Sequence, residues 1–198
     1  MLNKVMLLWL FLGLAGYQSK TPLHLPFSGA WTVEWGGRTA QQNHHLLSTD
    51  MRYACDFVLP HHGDGSRNQD YDCFGRPILA PAGGLVSEAV DGIDDNRPGE
   101  PRPPVCGNHV VIDHRNGEFS YLCHFQKGSL AVKVGDAVKA GQLVGKCGNS
   151  GQSSRPHLHF HLQNAVGEGL PAQLIDYLAD EKPVPRGEPQ RGQSVRNQ

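Results

Sequence analysis

Charge of one sign is what this 198-residue chain most clearly lacks: 18 Lys and Arg stand against 19 Asp and Glu, for a formal net charge of -1. Without a global field there is nothing to steer the chain to phosphate backbones or anionic lipid. No basic nucleic-acid motif is present either, so nucleic acid is excluded as a partner. Long hydrophobic runs are also missing. Residues 5–14 are mostly apolar, but a run of about ten is too short to span a bilayer. Preceded by Lys4 and carrying Gly13 and Ala15 at its end, it reads as a signal peptide over residues 1–16. Export to the periplasm, cell envelope or medium is therefore expected, with no stable membrane span after processing. No cysteine follows the run to take a lipid anchor.

Helical periodicity is scarce, whereas Gly 24 and Pro 14 point to turns and short strands. Strand-like runs cover 31–35, 52–59, 85–90, 109–113, 119–125, 142–146 and 157–162, an all-β pattern. Asn116-Gly117 is a strong hairpin signal, so the His109 and Phe119 strands should be antiparallel neighbours. Only 173–178, after Pro171, reads as a short helix. Residues 91–107 read as a long solvated loop, because their dense carboxylates lack calcium-ligand spacing. Residues 17–180 then form one domain, and 181–198, poor in apolar anchors, a disordered tail. Five cysteines leave at least one unpaired if all bonds are internal. Cys73 and Cys106, outside the strand runs, are expected to pair. Cys55 and Cys123, each beside a polar strand residue, should face the core.

The chemistry is concentrated in Arg155-Pro156-His157-Leu158-His159-Phe160-His161-Leu162. On a strand its three imidazoles fall on one face and Leu158, Phe160 and Leu162 on the other. A catalytic zinc takes three protein ligands and leaves one position open, so such a strand needs a partner from elsewhere. His109 and Asp113 do not qualify, being about 13 Å apart on an extended strand. His45 and Asp56 do, because Ser48, Thr49 and Asp50 permit a reversal between them. Asp56, flanked by Cys55 and Phe57, is costly to bury unless a cation or donor meets it. His-x-His can supply two ligands, or one ligand and one acid/base group, and spacing does not choose between these.

His45, Asp56, the Tyr121-Leu122-Cys123-His124 strand and Gly148-Asn149-Ser150-Gly151 leading into Pro156-His157-Leu158-His159-Phe160 resemble the lysostaphin/LytM-like zinc endopeptidases of bacterial cell walls. The likeness runs roughly from Phe27 to Leu162 and is most specific between Gly148 and Phe160. It implies antiparallel sheets forming a substrate groove over one zinc ion, held by His45, Asp56 and His159, with His124 and His157 as catalytic non-ligand histidines. Many relatives have a shorter spacing between the first histidine and the aspartate than the ten residues here, so the adjacent His44 stays open as the ligand in place of His45. His161 stands where many relatives carry Glu and is expected to hydrogen-bond behind the ligands. The implied substrate is a peptide of peptidoglycan stems or cross-bridges, taken by a monomer. Trp31, Trp35, Tyr53 and Tyr71 are candidates for the groove.

Two other classes compete. A metal-free binding or activator module on the same fold would show degenerate ligand positions, whereas all five are filled. A lipoyl-type carrier is suggested by residues 132–142, which resemble a hairpin of those domains, but no Asp-Lys modification turn is present. A lipoyl-like structural hairpin in an otherwise all-β domain with little helix is the expectation.

Overall fold

The computed structural model describes residues 17–198, and the expected signal peptide lies outside the described residues. In chain order the strands are β1 (Trp31–Trp35), β2 (Cys55–Val58), β3 (Pro77–Leu79), β4 (Gly84–Val90), β5 (His109–Asp113), β6 (Glu118–Cys123), β7 (Ala137–Val138), β8 (Leu143–Lys146), β9 (Leu158–Asn164), β10 (Gly169–Leu170), β11 (Leu174–Ala179), β12 (Lys182–Gly187) and β13 (Ser194–Asn197). Short 3-10 turns occupy His44–Leu47 and Asn68–Asp70, and no α-helix occurs among the described residues. The large sheet runs β12-β11-β13-β1-β2-β9-β6-β5-β4-β7, with β10 added to β9, while β3 and β8 form a separate pair. All strand pairs are antiparallel, including the expected β5–β6 hairpin.

Strand β9 holds the molecule together because it is bonded on both edges, to β2 and to β6. Leu158, Phe160 and Leu162 enter the core with Phe27, Trp31, Phe57 and Leu122, all at 2% exposure or less. Phe27 stacks on Trp31 and meets Phe57 edge-on, with ring centroids 4.8 and 5.0 Å apart. Each such ring or branched side chain contributes roughly 1.5–3 kcal/mol on burial. Trp31 is thus a core residue and not part of a groove.

Two expectations fail. Residues 173–178 are strand β11, not helix. Buried Leu174 and Tyr177 are three apart, which mimics helical spacing, but Asp176 adopts φ 50° and lets both face the core on an extended chain. The tail is ordered as β12 and β13. It needs little apolar surface because it is held by sheet bonds, by Val195 opposite Trp31, and by Asn197 Nδ2 donating to the Leu25 and Phe27 carbonyls. Within residues 132–142, strand β7 pairs with β4, and β8, which follows, pairs with β3.

Candidate metal centre

Asp56 on β2 and His159 on β9 are direct cross-strand partners, with Asp56 Oδ1 2.9 Å from His159 Nδ1. Their burial from both sides is what makes Asp56 unusual, since an ionised carboxylate at 4% exposure requires compensation. Imidazoles supply it. His45 Nε2 and His44 Nε2 lie 3.5 and 3.6 Å from Asp56 Oδ2, and His157 Nε2 lies 3.8 Å from Oδ1. His124 joins from the end of β6, its ring centroid 4.7 Å from that of His157 and 5.8 Å from that of His159. Thus all five residues expected at the site line one cleft, together with His44, Glu34, Trp35, Gln152 and Arg155. Arg155 and Glu34 are ion-paired across it.

Sequence reasoning missed the residues that aim these rings. Asn43 donates its amide hydrogens to the Gly37 and Ala54 carbonyls, which leaves Oδ1 to accept from His45 Nδ1 at 2.9 Å. His45 therefore turns Nε2 toward Asp56, where it also meets His44 Nε2 at 2.9 Å. His44 is held by His45 Nε2 at 2.9 Å and by stacking on Trp35 at 4.7 Å, but its ring is 54% exposed. His124 Nδ1 donates to the Ser150 carbonyl and His157 Nδ1 to the Arg155 carbonyl, so both keep Nε2 as acceptor. His159 Nε2 meets His161 Nδ1 at 2.9 Å, and His161 Nε2 meets the Gln163 amide at 2.9 Å. Tyr121 stacks on His161 at 4.6 Å, fixing that chain from behind.

His124 is reached by an irregular backbone, with φ 68° at that residue. Left-handed backbone at a non-glycine costs of order 1–3 kcal/mol and must be over-determined by its surroundings. Here the His124 N–H donates to the Cys106 carbonyl, and the Gly148 N–H to the His124 carbonyl. The twist also overturns the expectation for Cys123. Strict alternation would put Cys123 in the core and His124 at the site. Instead Cys123 pairs across the sheet with His159 and is buried on the histidine face of the sheet, while His124 lines the cleft. Cys123 is bonded to Cys106, not Cys106 to Cys73 as expected, because the His124–Cys106 backbone bond brings those two segments together. Cys123 Sγ lies near the nitrogens of His159 and His161, but as a disulfide sulfur it is no thiolate ligand. Cys55 does lie in the core.

Ser150, whose carbonyl orients His124, is held by a close backbone crossing: a Cβ on Gly151 would fall 2.3 Å from Gly107 N, and one on Gly107 would fall 2.4 Å from Ser150 C. That crossing explains Gly151 of the Gly148-Asn149-Ser150-Gly151 motif, as the approach of Gln126 N, 2.2 Å from a Cβ on Gly148, explains the other glycine.

Burial pushes the Asp56 carboxyl upward, but His157, His159 and His44 pull it further down, so it sits well below the carboxylate range. Burial drives His45 down to about 3 against the pull of Asp56. Burial, then His157 and His159, holds His124 well below the imidazole range. Burial also lowers His157 and, strongly, His161. The site thus holds one ionised carboxylate beside His45, His124 and His157, rings that burial keeps in the neutral form that binds a metal or accepts a proton. The ligand atoms of His44, His45 and Asp56 all lie within 4.8 Å of one another, a group that could hold a metal ion, while His159 reaches the same carboxylate through Nδ1, 2.9 Å from Asp56 Oδ1.

An all-antiparallel β fold whose central strands converge a carboxylate and several histidines defines a metal-hydrolase type of architecture. Residues 66–171, more than half of the chain, match the Peptidase family M23 model, and the chain belongs to that family. His124, His157 and His159 lie within the matched stretch, while His45 and Asp56 precede it. Among relatives, glycyl-glycine endopeptidase ALE-1 of Staphylococcus capitis is 44% identical over 130 residues, covering 62% of this chain and 33% of ALE-1. Peptidoglycan DD-endopeptidase ShyA of Vibrio cholerae is 42% identical over 59 residues, covering 30% of this chain and 13% of ShyA. The chain spans a third or less of the length of the first relatives it matches. In fold alone it is similar to a chain of the SpoIIQ–SpoIIIAH pore-forming complex, with TM-score 0.50 and 19% identity, covering 77% of this chain and 89% of that one.

Proposed function

We propose that this chain is a zinc-dependent endopeptidase that cuts peptide bonds in peptidoglycan stems or cross-bridges. The observation that carries the reading is the meeting of Asp56 and His159 on adjacent strands, with His45 Nε2 3.5 Å from the same carboxylate. His45, Asp56 and His159 would hold the ion. When bound, zinc would lower the pKa of a water in its open position from 15.7 to about 7 and polarise a substrate carbonyl.

His124 and His157 would move protons. Each ties Nδ1–H to a backbone carbonyl and leaves Nε2 as an acceptor. Burial lowers both pKa values, so both rings are neutral near neutrality. One accepts a proton from the attacking water, and the other, once protonated, gives one to the departing amine nitrogen. The Arg155–Glu34 pair and the Trp35 ring form the cleft wall along which an extended peptide would lie. The named bonds of the relatives, glycyl-glycine in ALE-1 and DD in ShyA, mark out the candidate scissile bonds. Export and action as a monomer belong to the same reading. No helix among the described residues is long and apolar enough to cross a membrane.

Zinc content of the purified protein, measured beside mass analysis of fragments released from wall sacculi, tests the proposal. About one zinc per chain and chelator-sensitive release of peptide-cut fragments are expected. A zinc-loaded protein that releases nothing would instead favour a binding module, and a protein that takes up no zinc would overturn the metal assignment.

A further inference from the structure

Cys73 and Cys147 are both buried, at 0% and 1% exposure, and neither takes part in the proposed hydrolysis. The two side chains share one apolar cluster and act on each other as neighbours. The backbone holds them there: the Gly75 N–H donates to the Cys147 carbonyl, the Cys147 N–H to the Arg76 carbonyl, and the Arg76 N–H to the Cys73 carbonyl. Two buried cysteines on backbone-bonded segments of one apolar core, in a chain that already carries the Cys106–Cys123 disulfide, have the elements of a covalent pair. The pair also lies beside segments that matter. Cys73 S–H donates to the Pro156 carbonyl at 3.1 Å, immediately before His157. Cys147 directly precedes Gly148, whose N–H bonds the His124 carbonyl.

We propose that Cys73 and Cys147 form a second disulfide of this chain, closed during folding by a disulfide oxidant such as oxidised glutathione. One cysteine, as thiolate, attacks a sulfur of the oxidant to give a mixed disulfide and release one glutathione thiolate. The other cysteine, having lost its proton, displaces the second glutathione. Two protein thiols are thereby oxidised and one glutathione disulfide is reduced to two thiols. Burial dictates the timing, because the folded pair is sealed from solvent and the exchange must precede closure of the core. Cys55 is the odd cysteine, buried beside the Pro189 carbonyl.

The test needs no catalytic assay. The full chain is refolded in a glutathione redox buffer, alkylated in denaturant, and digested without reduction. Expected are a Cys73–Cys147 linked peptide lighter by two hydrogens than its reduced parts, and one thiol per chain, Cys55. Cys73→Ser should raise the thiol count from one to two and lower the melting temperature by roughly 5–10 °C. Cys55→Ser should lower the count to zero. Three alkylated cysteines in the refolded wild type, or a linkage of Cys73 or Cys147 to Cys55, would overturn the proposal. Hydrolase activity bears on neither result.

Discussion

Two buried carboxylates flank strand β9, and they are compensated in opposite ways. Glu118 on β6, at 1% exposure, accepts from the Tyr17 hydroxyl, the Lys20 N–H, the Thr21 N–H and the Thr21 hydroxyl. Its donors are fixed in number and carry their hydrogens permanently, so nothing is left to bind. Asp56 on β2 is met by imidazoles instead, groups that exchange a proton for a metal. Burial of an acid is therefore not in itself a sign of chemistry, whereas the identity of its partners separates a structural tie from a reaction centre.

The largest way to break the comparison is Asp56→Asn or His159→Ala, either of which should abolish both zinc uptake and sacculus cleavage. Glu118→Gln should leave zinc content at the wild-type value. Metal analysis of the three purified variants checks this. Next, His124→Ala and His157→Ala should keep their zinc while kcat falls about 10²–10⁴-fold, the usual contribution of a positioned acid or base. Variants of both that remained fully active would remove these residues from the mechanism. Asn43→Ala should weaken zinc affinity by about 10–100-fold through loss of the His45 orientation, and His44→Ala should change it far less. A reversed order in competition titration would make His44 the ligand.

The smallest effect concerns Glu118. Burial raises its pKa, but the Thr21, Tyr17 and Lys20 donors outweigh that, and the net shift is downward. Its contribution is therefore fully present above the ordinary carboxylate pKa and is lost as pH falls through the lower folded value. Glu118→Gln should cost about 1–3 kcal/mol at pH 7. The gap to wild type should narrow in denaturant melts below about pH 4, and a gap constant with pH would show that the charge is not what ties residues 17–21 down.

What was legible in the sequence was whatever depends on neighbours along the chain. The period-two alternation of His157–Leu162 gave the two faces of β9, Asn116-Gly117 gave the β5–β6 hairpin, and the apolar flanks of Asp56 gave its isolation. What was not legible depends on partners chosen across the fold. Nothing near Cys106 indicates that Cys123 will meet it, because that follows from a left-handed residue at His124. Likewise β12 and β13 owe their order to sheet edges supplied by β11 and β1, not to their own composition. Asn43 was the nearest miss, a polar residue directly before two histidines whose orienting role appears only with the Gly37 and Ala54 carbonyls in place.

The central seat of β9 has a dynamic consequence. Its amides are bonded to β2 and β6, so deuterium should enter them only when the whole domain opens, whereas His45 rides on a four-residue 3-10 turn that can open by itself. Adding metal should then slow isotope exchange around residues 43–47 and leave the histidine strand as it was, an unyielding anvil against which the softer half of the site closes.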